Sequence, residues 1–167
     1  VCSSDLFGVM ASTTTVKSVP SAEFIEALAQ HFKKANIFEI PHWAEYIKTG
    51  TLKELPPSDP DWFYIRAASM ARKVYLFPGR GIGSYSKVYG GRKRNGTCRN
   101  HFGTSSRGLL RNIMQQLERA HYVAPVPGKK GRRITKEGQR DLDTIATGIQ
   151  TTTSTMGTSV IQQAPAV

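Results

Sequence analysis

The stretch from about Pro60 to Leu76 constrains the fold most, because it reads as a helix that is apolar almost all the way round. At ~100° per residue, Phe63, Tyr64, Ala67, Ala68, Met70, Ala71, Val74 and Tyr75 cover about half of its circumference. Ile65, Leu76 and Trp62 occupy part of the other half, which leaves Arg66, Ser69 and Lys73 as a narrow polar stripe. Arg72 stands apart among apolar neighbours, so it needs either a carboxylate inside the fold or a phosphate outside it. A helix of this kind is packed on most sides, and the spacing predicts a central helix with the others arranged about it. Ser58-Asp59-Pro60-Asp61 offers it a cap, an N1 proline and first-turn carboxylates.

The remaining periodicity predicts a mainly α domain, a helical bundle around that central helix. Ser21 can cap a helix running to about Asn36, with Phe24, Ile25, Leu28, Ala29 and Phe32 on its apolar side. A short amphipathic segment follows from His42 to Lys48, with Trp43 and Trp62 expected in the core. Another helix starts at Ser105 or Ser106 and ends near His121. Leu109, Leu110, Ile113, Met114 and Leu117 line one side of it, and Arg107, Arg111, Gln115 and Arg119 form a ladder on the other. Two short strands around Pro127-Gly128-Lys129-Lys130-Gly131 then form a small β-hairpin. Thr135 caps a last helix whose apolar side is Leu142, Ile145, Ala146 and Ile149. Helix, basic hairpin and capped helix in that order are winged-helix-like. From Pro78 to Gly103 periodicity fails, and the stretch reads as a long glycine-rich loop.

Residues 1–15 read as a disordered N-terminus, 16–150 as the folded domain and 151–167, rich in Thr and Ser, as a disordered tail. Met10-Ala11-Ser12 resembles an initiator context, so residues 1–9 are expected to be an artefact of transcript assembly rather than part of the mature protein. They lack the features of a secretory signal.

Charge is concentrated in the middle of the chain. Residues 1–61 hold 5 basic and 8 acidic side chains, 62–136 hold 17 basic and one acidic (Glu118), and 137–167 hold one basic and three acidic. A net charge of +16 in one segment, out of +11 for the whole chain, demands a polyanionic partner, and nucleic-acid phosphate is the first choice. No apolar stretch is long enough to span a membrane, and two cysteines supply no disulfide framework. A reduced, intracellular protein is expected. The four histidines lie on separate elements, so no metal site is expected. Gly79-x-Gly81-x-Gly83 lacks the third glycine and the Lys-Ser/Thr of nucleotide-binding loops, and carboxylates are scarce where phosphoryl chemistry would need them. The expectation is a non-enzymatic chain with no cofactor and no small-molecule substrate. Tyr85 and Tyr89 interleave with the loop's charges, where they can either stack on bases or pack the loop's base. A DNA-reading winged-helix regulator and a nucleotide-dependent enzyme are the competing classes.

Several motifs carry a closer likeness: Trp62-Phe63-Tyr64-Ile65-Arg66-Ala67-Ala68-Ser69-Met70-Ala71-Arg72, Lys87 through Gly96 (KVYGGRKRNG), His101-Phe102, and Gly131 through Asp143 (GRRITKEGQRDLD). In these motifs, in order and over roughly 16–150, the chain resembles the e-type small-subunit ribosomal protein nineteen family of eukaryotes and archaea. The resemblance implies a winged-helix-related α domain bound to rRNA in the head of the small (40S) subunit. It also implies a part in precursor-rRNA maturation through assembly, neighbouring ribosomal proteins as partners, and residence on cytoplasmic ribosomes, with a nucleolar stage in a eukaryote. Arg66 and Arg72 correspond to family arginines on the central helix, and Arg111 to one on the basic helix. Residues 151–167 replace the family's short lysine-containing end. The candidate RNA-binding residues are then Arg66, Arg72, Lys73, Arg80, Lys87, Arg92, Lys93, Arg94, Arg99, Arg107, Arg111, Lys129, Lys130, Arg132 and Arg133.

Overall fold

The computed structural model describes residues 14–128 and 131–161. Expectations for Lys129, Lys130 and residues 1–13 and 162–167 therefore lie outside the described residues. Among the described residues the chain forms five α-helices and two antiparallel two-stranded sheets, a mainly α fold.

Helix α1 (Ser21–Lys34) buries Phe24, Leu28, Ala29 and Phe32, the spacing of a single apolar face. Its cap position is Pro20, and Ser21 is already helical with no capping bond, one residue earlier than expected. A 3₁₀ turn follows (His42–Glu45). Helix α2 (Trp62–Leu76) begins after Asp61, later than the Ser58-Asp59-Pro60 signal implied. The cause is local: the Asp61 N–H donates to Asp59 Oδ1 at 2.9 Å, so Asp59 closes a turn ahead of the helix instead of capping it. None of the residues from Asp61 to Leu76 is exposed. Helix α2 packs against α1, against α4 (Arg107–Arg119) and against strand β4 (Arg132–Ile134), which makes it the central helix expected from its composition.

The core is continuous through these elements. Phe63, Ala67, Met70 and Val74 of α2 meet Phe24, Leu28 and Phe32 of α1 and Leu109, Leu110, Ile113, Met114 and Leu117 of α4 in one buried cluster. Trp43 and Trp62 pack on its margin, as their apolar neighbours implied. Edge-on aromatic contacts, Phe32 to Phe38 at 4.9 Å and Phe32 to Tyr122 at 5.5 Å, stitch α1 to the connecting segments. The buried Gln116 amide of α4 donates to the Glu39 carbonyl at 2.8 Å and accepts the Glu39 N–H at 3.1 Å, fixing the chain before the 3₁₀ turn.

The C-terminal part follows the expected helix–hairpin–helix order. Strand β3 (Val123–Pro125) pairs with β4, with Val123 opposite Ile134. Thr135 caps α5 (Lys136–Ile161): its hydroxyl accepts the Gly138 N–H at 3.0 Å. Leu142 and Ala146 of α5 are fully buried. The backbone of α5 continues to Ile161, into the segment read as a disordered tail from residue 151.

The stretch read as a structureless loop is a correction. It contains helix α3 (Ile82–Val88) and a second hairpin, β1 (Gly91–Asn95) with β2 (Cys98–Gly103). Gly79 and Arg80 run beside β4: the Gly79 N–H donates to the Arg132 carbonyl at 2.8 Å. A Cβ on Gly131 would lie 1.9 Å from the Gly79 carbonyl oxygen, so this contact requires glycine at position 131.

Candidate nucleic-acid interface

The polar stripe of α2 is only partly open to solvent. Tyr89, at the end of α3, lies across it. Its hydroxyl shares a hydrogen bond with Ser69 Oγ at 2.9 Å, the Arg66 guanidinium sits 4.5 Å from its ring centre and the Lys73 ammonium 5.0 Å. Arg66 Nη1 and Arg72 Nε are buried without a hydrogen-bond partner. Burial holds the Arg66 pKa below its ordinary value, opposed in part by Tyr89. Burial does the same to Lys73, reinforced by the charges of Arg72, Arg66 and Arg80. Arg66 and Lys73 thus flank Tyr89 on the stripe, and Arg72 and Arg80 lie close enough to press on Lys73, with none of the four in an ion pair. The two ion pairs among the described residues lie elsewhere, Lys33–Asp61 and Arg132–Glu118. Half-buried charges left uncompensated are costly, and an external anion would relieve them.

From that flank a cationic strip leads to the hairpin. Lys53 lines a groove of about 570 Å³ with Arg66, Ser69, Tyr89 and one carboxylate, Asp59, and lines a second in which Lys48, Arg92, Lys93 and Arg94 outnumber the single acid, Glu54. Lys48 and Lys93 also face Ser106 and Arg107 across an open cleft of about 760 Å³ at the start of α4. What holds this geometry is the pairing of Gly50 with Ser105, in which Ser105 Oγ donates to the Thr49 carbonyl at 2.8 Å. The structure therefore brings Arg66, Arg92, Lys93, Arg94 and Arg107 together along one surface, with Arg72, Lys73 and Arg80 coupled to its near end. Lys48 and Lys53 belong to the strip although sequence reasoning passed over them. They sit in the acidic half of the chain, and only the long-range Gly50–Ser105 contact reveals their place.

Other candidate residues stand differently. Lys87, Arg99, Arg111 and Arg133 are exposed on α3, β2, α4 and β4 without sharing these grooves. Arg132 has an internal partner: its guanidinium is bonded to Glu118, the lone acidic residue of the basic segment, and ties the wing to α4. Arg80 stacks on the exposed ring of Phe77 at 4.2 Å. The Gly79–Gly83 loop does not cradle phosphate through Gly79, whose N–H is spent on Arg132. Of the two tyrosines weighed for base stacking, Tyr85 is 1 % exposed, with burial pushing its pKa up to about 12. Tyr89 is committed to the α2 stripe. Packing is the outcome for both.

The profile described as "Ribosomal protein S19e" matches residues 15–152. Curated relatives called small ribosomal subunit protein eS19 come from Oryza sativa subsp. japonica, Mya arenaria and Myxine glutinosa. The first is 48 % identical over 145 residues, 86 % of this chain and 99 % of that protein. The second is 45 % identical over 135 residues (81 % and 90 %), and the third 48 % over 132 residues (79 % and 90 %). With the match running from the first described residues into α5, the chain belongs to the ribosomal protein S19e family.

Proposed function

We propose that this chain is a structural, non-enzymatic constituent of the small ribosomal subunit that binds rRNA in the subunit head and takes part in subunit assembly and precursor-rRNA maturation. The family and its relatives' names support the ribosomal role. The observation that carries RNA binding is the set of cations along α2 and just beyond it: Arg66 and Arg72 each bury a guanidinium nitrogen without a partner, Lys73 and Arg80 are partly buried beside them, and none of the four is in an ion pair. Phosphate oxygens arriving from outside supply the missing counter-charge, and the strip through Lys53 to Arg92, Lys93, Arg94 and Arg107 extends the contact along a second segment. Holding two segments against one rigid helical body fixes their relative position without any chemical step. Neighbouring ribosomal proteins and a nucleolar assembly stage belong to the same proposal.

Two measurements test it. The tagged chain should sediment with small subunits or their precursors on sucrose gradients; sedimentation only as a free protein would refute the role. Binding to small-subunit rRNA fragments should weaken with salt, log K against log[salt] having a slope of roughly −4 for about six phosphate contacts. A slope near zero would remove the electrostatic mechanism.

A further inference from the structure

The β1–β2 hairpin carries an aromatic residue that the fold does not use. Every residue from Arg92 to Phe102 is exposed, so the hairpin projects from the body with neither face buried. Phe102 is 63 % exposed, yet its ring is placed: a Cβ on Gly90 would fall 2.7 Å from Phe102 Cζ, so the ring tip rests on bare backbone at Gly90. Directly across the ladder stands Arg92, whose side chain leaves on the same face of the hairpin. Lys93, Arg94 and Arg99 add three more positive charges, and residues 91–103 contain no acidic side chain. An isolated two-stranded hairpin is marginal in water, and an exposed phenyl ring increases its need for a partner.

Resting on the RNA-binding function proposed above, we infer that Phe102 is a stacking platform for one unpaired base of the bound RNA, with Arg92 on the phosphate beside it. Charge complementarity selects this occupant over a protein surface: Arg92 stands beside the ring on a hairpin that carries four cations and no acid, and single-stranded RNA offers a flat apolar face next to an anion. The chemistry is what sequence reasoning sought at Tyr85 and Tyr89, moved to a ring that solvent can reach.

The test uses the full chain and an oligouridylate carrying one central 2-aminopurine, whose fluorescence is quenched on stacking. The wild-type chain should bind and quench. Phe102→Leu should lose about tenfold in affinity and most of the quenching, with the salt slope unchanged, and Phe102→Tyr should restore both. Arg92→Gln should instead make the salt slope shallower by roughly 0.7 and leave quenching at saturation intact. Equal affinity and quenching for Phe102→Leu and wild type would overturn the stacking site while leaving the electrostatic strip standing. Failure of the wild-type chain to bind the probe at low salt would overturn both. Phe102 lies outside the core, so thermal unfolding of Phe102→Leu should match wild type; a large loss of stability would show that the ring serves packing, which also overturns the proposal.

Discussion

Helix α2 and the β1–β2 hairpin solve opposite problems. The helix is apolar on nearly every side and is enclosed by α1, α4 and β4, so its stabilisation comes wholly from within the chain. The hairpin buries no residue between Arg92 and Phe102, so its side chains are left to meet another molecule. The two meet at Tyr89, which ends α3 just before β1 and rests on Arg66, Ser69 and Lys73 of α2. Stability therefore rests on the apolar faces of α2, while binding falls to the hairpin and to the cationic stripe of α2 that Tyr89 joins to it. Mutations should sort into those that unfold the protein and those that disarm it.

The largest separation should come from paired substitutions. Phe63→Ala, in the fully enclosed part of α2, should cost about 3–5 kcal/mol in urea denaturation. Replacing Arg92, Lys93 and Arg94 together by Glu should shift stability by less than about 1 kcal/mol yet abolish incorporation into subunits, read by sedimentation. If the triple variant unfolds, or is incorporated normally, the division fails. Next in size is Gly131→Ala. The added Cβ meets the Gly79 carbonyl, and the wing has to shift at a cost of about 1–3 kcal/mol. An unchanged urea midpoint would show that the wing and the Gly79–Arg80 segment are loosely joined.

Smaller still is the ion pair that joins the wing to α4. Glu118→Gln should cost about 1 kcal/mol, and less at high salt, because both side chains are partly open to water. The smallest effect at neutral pH belongs to Tyr85→Phe. The hydroxyl's bond to the Phe77 carbonyl is long, 3.4 Å. In alkali it should matter more. Burial raises Tyr85 and Tyr122 from 10.0 to about 12, so the stability they contribute is complete below pH 10 and lost as pH climbs towards 12. Urea midpoints across that window should fall less steeply in Tyr85→Phe than in wild type; equal slopes would show that Tyr85 stays solvated.

What the sequence revealed follows the same division. The helices around α2 were legible because each has a buried face, and a buried face leaves a period in the sequence. The second hairpin was not legible for the converse reason. Strand alternation arises only when one face is buried, and Arg92-Lys93-Arg94 opposite Asn100-His101-Phe102 buries neither. Helix α3, seven residues long with Tyr85 and Ser86 as its buried pair, is too short to show a period at all. At the interface, charge density marked Arg66 through Arg107 as one basic block, of which the fold gathers Arg66, Arg92, Lys93, Arg94 and Arg107 along common grooves. Lys48 and Lys53 escaped because the Gly50–Ser105 pairing joins residues far apart in the chain.

The most direct measurement is the acetylation rate of individual lysines in purified small subunits and in the free protein, read by mass spectrometry. Lys48, Lys53 and Lys93 are exposed in the free fold, as are Lys17 and Lys34 on the side of α1 and the segment before it. Within the particle the first three should be strongly protected relative to Lys17 and Lys34. Equal reactivity of Lys48, Lys53 and Lys93 in the two states would mean that the cationic strip faces water on the ribosome, contradicting the role assigned to it.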